Sequence, residues 1–231
     1  MTLIAGLQKT SLIDFPGKVS CVVFLTGCNF TCSYCHNPEL ALGQYPERID
    51  WTDLLAFVDQ RRSLLDGVVI SGGEPTLLPG LHALCRDLRN LGVAIKLDTN
   101  GSRPNVIESL LGDGLVDYIA MDLKTAPENY GPPLCNEKAG PAVLKSIETI
   151  MTGDADYEFR TTCVRPFVTE ARMRAMAAAI RGARRWILQR FNPRKTLDPG
   201  YGGDTQAGLS MAQIQSLQRL AAAFAESCHI R

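Results

Sequence analysis

Three cysteines crowd into the stretch Cys28-Asn-Phe-Thr-Cys32-Ser-Tyr-Cys35, while the other five of the chain's 8 cysteines are scattered. Thiolates are the soft ligands that iron–sulfur clusters and zinc take up. Gaps of three and two residues let one loop wrap three sulfurs around a four-iron cube. Three protein ligands for four irons leave one iron open to a small molecule, which separates a site for chemistry from an electron carrier. The competing reading is zinc, with His36 as a fourth ligand. It is the weaker one, because the adjacent Cys35 and His36 do not readily aim both side chains at one tetrahedral ion, and no second ligand pair follows. Cys21, Cys85 and Cys163 fall in apolar strands or on a helix stripe and are expected in the core.

Further candidates stand at other points where apolar runs end. In Ser71-Gly72-Gly73-Glu74-Pro75, two glycines after a strand let a ligand approach the main chain closely. Asp98-Thr99-Asn100-Gly101 offers Asp98 and Asn100 to hydroxyl groups, although Asn-Gly is also an ordinary turn signal. Asp122-Leu123-Lys124 sets an acid and a base two residues apart, either as ligand contacts, with a cation at Asp122, or as a plain ion pair. Arg160 lies mid-strand, and an inward placement requires a carboxylate partner. Gln189 and Asn192 stand at the end of the last strand, as candidates to line a bound ligand. His82 and His229 read as solvated, and Arg181, Arg184 and Arg185 as a solvated helix end. Residues 131–140, containing Cys135, read equally well as a partner-facing loop or a connector.

These residues need strands and helices to hold them. Residues 19–25 (VSCVVFL) form a short, β-branched apolar run that suits a strand buried on both faces. Asp50 then stands as N-cap to a helix with Trp51, Leu54, Leu55 and Val58 on one face. Residues 67–70 read as a strand, followed by a helix with Leu81, Leu84, Cys85 and Leu88 on a stripe. The alternation continues with strands at 93–97, 116–121, 157–164 and 186–191. Helices fall near 104–111 and 142–151, and another carries Met173, Met176, Ala177 and Ile180. A Pro/Gly-rich tail (192–203) leads to an amphipathic helix with Leu209, Ile214, Leu217, Leu220 and Phe224. Strand–helix alternation implies parallel strands with right-handed crossovers. Six such strands, with the unusual residues clustered after their ends, predict a partial (β/α)6 barrel that carries its site at the C-terminal rim. A doubly wound sheet is the rival. One domain is expected over 1–231, with a core at about 15–192 and the tail and helix at about 193–231.

The composition fits a globular enzyme: 231 residues, 45% hydrophobic and 21% charged, with Lys+Arg and Asp+Glu equal at 24 each. That balance gives no global field for nucleic acid or an acidic membrane surface. No run reaches the roughly 18 apolar residues of a membrane span, and the first nine residues lack a secretory pattern. A cytoplasmic protein with reduced thiols is the expectation.

Cys28-x3-Cys32-x2-Cys35, with Tyr34 before the last cysteine, resembles the signature of the radical S-adenosylmethionine (SAM) superfamily. The flanking Cys35-His-Asn-Pro38 is similar to the activating enzymes of glycyl radical enzymes. Residues 7–17 (LQKTSLIDFPG) and 24–28 (FLTGC) resemble the branch that activates anaerobic ribonucleoside-triphosphate reductase. The resemblance spans about residues 5–192. It implies a [4Fe–4S] cluster on Cys28, Cys32 and Cys35, and reductive cleavage of SAM with removal of a hydrogen atom from a glycine of a partner protein. It also implies cofactor contacts at Tyr34, His36, Gly72, Gly73, Glu74, Asp98, Asn100, Asp122, Lys124 and Arg160, and a flavodoxin- or ferredoxin-type electron donor. An acid–base triad is not expected. Pyruvate formate-lyase or another glycyl radical enzyme stays open as the partner, as does a non-catalytic metal-binding or electron-transfer module. Only about 40 residues follow the last strand, so the barrel's open side is expected to be uncovered and to admit a glycine-bearing loop.

Overall fold

A computed structural model describes residues 4–45, 48–135, 138–193, 195–203 and 207–231. Residues 1–3, residues 136–137 of the loop at 131–140 and residue 194 of the tail lie outside that set. The strands are β1 (Ile4–Ser11), β2 (Ser20–Leu25), β3 (Gly67–Gly72), β4 (Ala94–Thr99), β5 (Tyr118–Asp122), β6 (Asp156–Cys163), β7 (Trp186–Arg190) and β8 (Cys228–Ile230). The helices are α1 (Pro38–Ala41), α2 (Trp51–Arg61), α3 (Leu81–Asn90), α4 (Pro104–Gly112), α5 (Gly140–Thr152), α6 (Glu170–Ala179), α7 (Pro199–Gly203) and α8 (Met211–Ala221).

One eight-stranded sheet runs in the order β1-β2-β3-β4-β5-β6-β7-β8. Only β1 is antiparallel to its neighbour. The other pairs are parallel, in keeping with the crossover helices between the six central strands. A doubly wound sheet would reverse its strand order partway, and this one does not. The sheet also curls. Val22 on β2, Val69 on β3, and Tyr118 and Ala120 on β5 share one inner cluster with Phe15, although β2 and β5 are not neighbours. Among the described residues β8 does not pair with β1, so the barrel stays open, as the six-strand count requires.

The helices cover the outside with the stripes the sequence implies. Leu81, Leu84, Cys85 and Leu88 of α3 are buried, as are Met173, Met176 and Ala177 of α6, with Ile180 just after it. Asp50 is the N-cap of α2, but its side chain makes no capping hydrogen bond. The amphipathic C-terminal helix is α8, closed at its start by a reciprocal Ser210–Gln213 capping box. Among the described residues no helix is long and apolar enough to cross a membrane.

Two strands go beyond the sequence reading. β1 is an edge strand exposed at Gln8, Lys9 and Thr10, and β8 is only 3 residues long. His229 is exposed as expected, but lies within β8. The tail after β7 differs from expectation too, because it folds back as a strap over the cysteine loop. Lys195 pairs with Glu39 at 2.6 Å, the Asp198 amide donates to the Ser33 carbonyl at 2.9 Å, and Tyr201 meets Phe191 edge-on. The flank expected to be uncovered is therefore partly closed by the chain itself. His82 also has a partner, the Ser109 hydroxyl at 2.9 Å.

Candidate cluster and cofactor site

The cysteine loop follows β2 and is pinned from two sides. The Gly73 amide donates to the Leu25 carbonyl at 2.9 Å, and the Glu74 amide donates to the Gly27 carbonyl at 2.8 Å. From the other side, the Thr31 amide donates to the Leu134 carbonyl at 2.9 Å, and Phe30 bridges to Cys135. The 131–140 loop thus buttresses the cysteine loop rather than merely connecting elements. The glycine pair has a physical reason beyond ligand approach. Gly72 has a φ of +122°, and a Cβ on Gly73 would lie 2.1 Å from the Gly27 carbonyl oxygen. Gly73→Ala is expected to push the cysteine loop away, at a cost on the order of 3 kcal/mol. Thermal unfolding together with iron content after reconstitution measures both effects.

Cys28, Cys32 and Cys35 line one cavity with Gly72, Gly73, Asp98, Asn100, Asp122, Lys124 and Arg160. Tyr34 and His36 line it as well. His36 stacks on Phe191, with ring centroids 5.6 Å apart. The Tyr34 hydroxyl is buried without a hydrogen-bond partner among the described residues. Gln189 reaches the cavity wall. Glu74 does not line the cavity. Its carboxylate accepts from the Thr76 amide at 3.1 Å, the Thr99 hydroxyl at 2.7 Å and the Asn100 amide at 2.6 Å, and also from the Thr76 hydroxyl. It latches the turn after β3 to the turn after β4. Glu74→Ala leaves these buried donors unmatched and is expected to cost about 3 kcal/mol, read as a lower urea midpoint.

The cavity wall carries a charge ladder across β4, β5 and β6. Asp98 accepts from Lys96 and from the Ser71 hydroxyl at 2.9 Å, and its other neighbour is Arg160 at 3.3 Å. Arg160 Nε donates to Asp122 Oδ1 at 2.9 Å, and Lys124 Nζ donates to Asp122 Oδ2 at 3.2 Å. Arg160 therefore has the carboxylate partners that inward placement demands. Burial pushes the Asp122 carboxyl up, but Arg160 and Lys124 outweigh it and bring it down to about 2. Burial pulls Lys124 down, yet Asp122 and then Cys32 hold it well above the usual lysine range. Both carboxylate oxygens of Asp122 are engaged by protein cations, where the sequence left room for a bound cation.

Comparison with known proteins decides the family. Residues 22–177 match the Radical SAM superfamily. A provisionally named glycyl-radical enzyme activating enzyme of Methanocaldococcus jannaschii is 34% identical over 205 residues, covering 85% of this chain and 82% of the relative. This chain belongs to the family of radical SAM glycyl-radical enzyme activating enzymes. The benzylsuccinate synthase activating enzyme of Thauera aromatica is 26% identical over 221 residues, covering 66% of each chain. The pyruvate formate-lyase-activating enzyme of Clostridium pasteurianum is 30% identical over 132 residues, 54% of this chain and 53% of that one. A crystal structure of a radical SAM methyltransferase from Sphaerobacter thermophilus superposes with a TM-score of 0.70 at 15% identity, covering 96% of this chain and 69% of that one. The fold is that of a radical SAM enzyme, and the reading as a non-catalytic module falls away.

The family's cofactors are a [4Fe–4S] cluster and SAM, and the donor set of the enzyme fits them. Burial pushes the Cys28 thiol up, and pushes Cys32 up to about 12. A thiol so disfavoured as a bare anion becomes a ligand when a metal centre supplies the positive charge. The Phe30 amide donates to Cys28 Sγ at 3.4 Å, and Asn100 Nδ2 does so at 3.8 Å. Among the described residues, no three His, Cys, Asp or Glu side chains are placed to hold a single metal ion. Lys96 and Ser71 were missed by sequence reasoning. The signal was present, since residues 96 and 98 share one face of a strand, and a lysine beside an inward aspartate must also point inward.

Proposed function

We propose that the enzyme generates the glycyl radical of an anaerobic ribonucleoside-triphosphate reductase, in a cytoplasmic setting that keeps its thiols reduced. One observation carries the reading: three thiols, a two-glycine turn and the Asp98–Arg160–Asp122 ladder all open on a single cavity at the rim of the barrel. The choice of partner is supported by residues 7–17 and 24–28, which resemble the reductase-activating branch and form the β1–β2 hairpin and the start of the cysteine loop.

When bound, the cluster and SAM supply one-electron reductive cleavage of a sulfonium and removal of a hydrogen atom from the partner's glycine. The protein's own residues prepare the space for that chemistry. Cys28, Cys32 and Cys35 hold the cluster through three sulfurs. The main chain at Gly72 and Gly73 receives the amino group of SAM. Asp98 and Asn100 face its polar groups, and Arg160 and Lys124 supply positive charge for its carboxylate. His36, stacked on Phe191, and Tyr34, edge-on to the same ring, wall the cavity on the strap side and exclude water.

A second reading is activation of pyruvate formate-lyase, favoured by the relative from Clostridium pasteurianum. Electron paramagnetic resonance separates the two. The reconstituted enzyme is mixed with SAM, reductant and each candidate partner under strict anaerobiosis. A glycyl doublet with the reductase and none with the lyase is the expected result; the reverse pattern assigns the partner to the second reading.

A further inference from the structure

Lys96 is one of the largest fully buried side chains of the protein, and it does not line the cofactor cavity. It stands on β4 two residues before Asp98, on the same face of the strand. Its register neighbours, Val69 on β3 and Tyr118 on β5, belong to the inner apolar cluster around Phe15. The ammonium lies 5.9 Å from the centre of the Tyr118 ring. Asp98 is its one ion-pair partner among the described residues. A lysine is costly in such surroundings, and a methionine would fill the same space without a charge to bury. Packing does not account for it.

The cavity wall above it does. Asp98 Oδ1 accepts from Lys96 and lies 3.3 Å from Arg160 Nη1, while Asp98 Oδ2 accepts from the Ser71 hydroxyl at 2.9 Å. Arg160 holds Asp122 more closely, through Nε at 2.9 Å. Across the ladder the cations Lys96, Arg160 and Lys124 stand against the carboxylates Asp98 and Asp122. Glu158, two residues before Arg160 on the same face of β6, is engaged toward the start of the strands, by the Tyr118 hydroxyl at 3.1 Å and by Arg231 at 4.0 Å. One positive charge of the ladder is left over, and Lys96 is the cation that makes it so.

We propose that Lys96 is a positioning residue for SAM: it engages Asp98 from behind the cavity wall, so that Arg160 is not drawn away from Asp122 and keeps donors free for the carboxylate of SAM. The proposal rests on the reading that Asp98 and Arg160 face SAM. With a methionine at residue 96, Asp98 has Arg160 as its only cation, and one guanidinium must serve two aspartates. Burial pushes the Asp98 carboxyl up; Arg160 and then Lys96 outweigh it and hold the group below the usual carboxylate range, with Asp122 acting against them. Without Lys96, Asp98 takes up a proton at a higher pH than in the wild type.

The test is SAM binding to the reconstituted full chain, with the cluster oxidised so that no SAM is cleaved, measured by anaerobic equilibrium dialysis. Lys96→Met is expected to weaken binding about tenfold, with iron content at the wild-type level. The ratio of variant to wild-type dissociation constants is expected to widen between about pH 8 and about pH 6 as Asp98 takes up its proton, a trend that a packing defect does not produce. Asp98→Asn removes the group that Lys96 acts through, so adding Lys96→Met to Asp98→Asn is expected to change the affinity by less than about twofold. That neutral pair carries the test even if Lys96→Met alone does not fold. Binding by Lys96→Met within about twofold of wild type overturns the proposal. So does a ratio that is the same at both pH values, or a further loss of about tenfold in the double variant, which would mean that Lys96 acts without Asp98. Unchanged SAM affinity in Arg160→Leu defeats the reading of the cavity wall and takes this proposal with it. A loss in Arg160→Leu with none in Lys96→Met defeats the positioning role alone.

Discussion

Cys32→Ser is expected to remove the cluster, and with it all cleavage of SAM above the enzyme-free background. Cys32 is the most buried of the three cavity cysteines, at 6% exposure. With its thiol pushed up to about 12 by burial, Cys32 stays protonated at neutral pH without a metal. Metal binding has to displace that proton, and a serine hydroxyl releases its own far less readily. Cys28 and Cys35 then remain as two sulfurs, too few to hold four irons. Reconstituted iron is expected to fall from about four per chain to below one, and 5′-deoxyadenosine to vanish. Cys85→Ala is the contrasting case. Cys85 is fully buried on the α3 stripe, away from the cavity, so its loss costs about 1 kcal/mol of stability and leaves iron content and turnover intact. Full iron content in the Cys32→Ser protein would mean that the cluster is held elsewhere.

Arg160→Leu is expected to be the most damaging change on the cavity wall outside the cysteines. The guanidinium is 14% exposed and bridges Asp98 and Asp122. Removing it leaves two carboxylates facing one space, with only Lys96 and Lys124 to oppose them. Breaking a buried ion pair from one side costs about 3 kcal/mol, and SAM affinity is expected to drop roughly tenfold or more. The pH dependence follows from the depressed Asp122. A carboxyl at about 2 in the fold, against about 3.9 in the unfolded chain, contributes stability that is fully present above about pH 4. That contribution is lost as the pH falls through about 2. In the metal-free chain, the stability gap between wild type and Arg160→Leu is therefore widest at pH 7 and narrows below about pH 3. Urea unfolding at the two pH values measures it. A gap that widens in acid would show that Arg160 is a burden in the fold and not the partner of Asp122.

The cysteine loop could be read from the sequence because ligand spacing is a local property, fixed within a few bonds whatever the fold does elsewhere. The six central strands could be read because burial on both faces leaves continuous apolar runs such as Val68–Ile70, all fully buried. β1 could not, because an edge strand with Gln8, Lys9 and Thr10 exposed carries no clear alternation. The strap could not either, because a Pro/Gly-rich tail has no period and its contacts with Glu39 and Ser33 are set by distance in space. Glu74 illustrates the remaining difficulty. The resemblance implied a cofactor contact there, yet its partners Thr99 and Asn100 come from the end of the neighbouring strand, and the parallel pairing of β3 with β4 brings them within reach. The ladder was half legible. Asp122 and Lys124 were visible as a pair, and Arg160 as a residue needing a carboxylate, but which carboxylate it met depended on register.

Because each strand lies beside its predecessor, synthesis delivers the pocket in building order. Once Lys124 has left the ribosome, the three thiols, the glycine turn, Asp98 and Asp122 have all emerged on β2–β5 and the segments after them. Arg160 arrives only with β6, and the strap later still. The cavity wall is thus completed late in the chain: β6 sets Arg160 between two aspartates already paired with Lys96 and Lys124, and the tail then crosses Ser33.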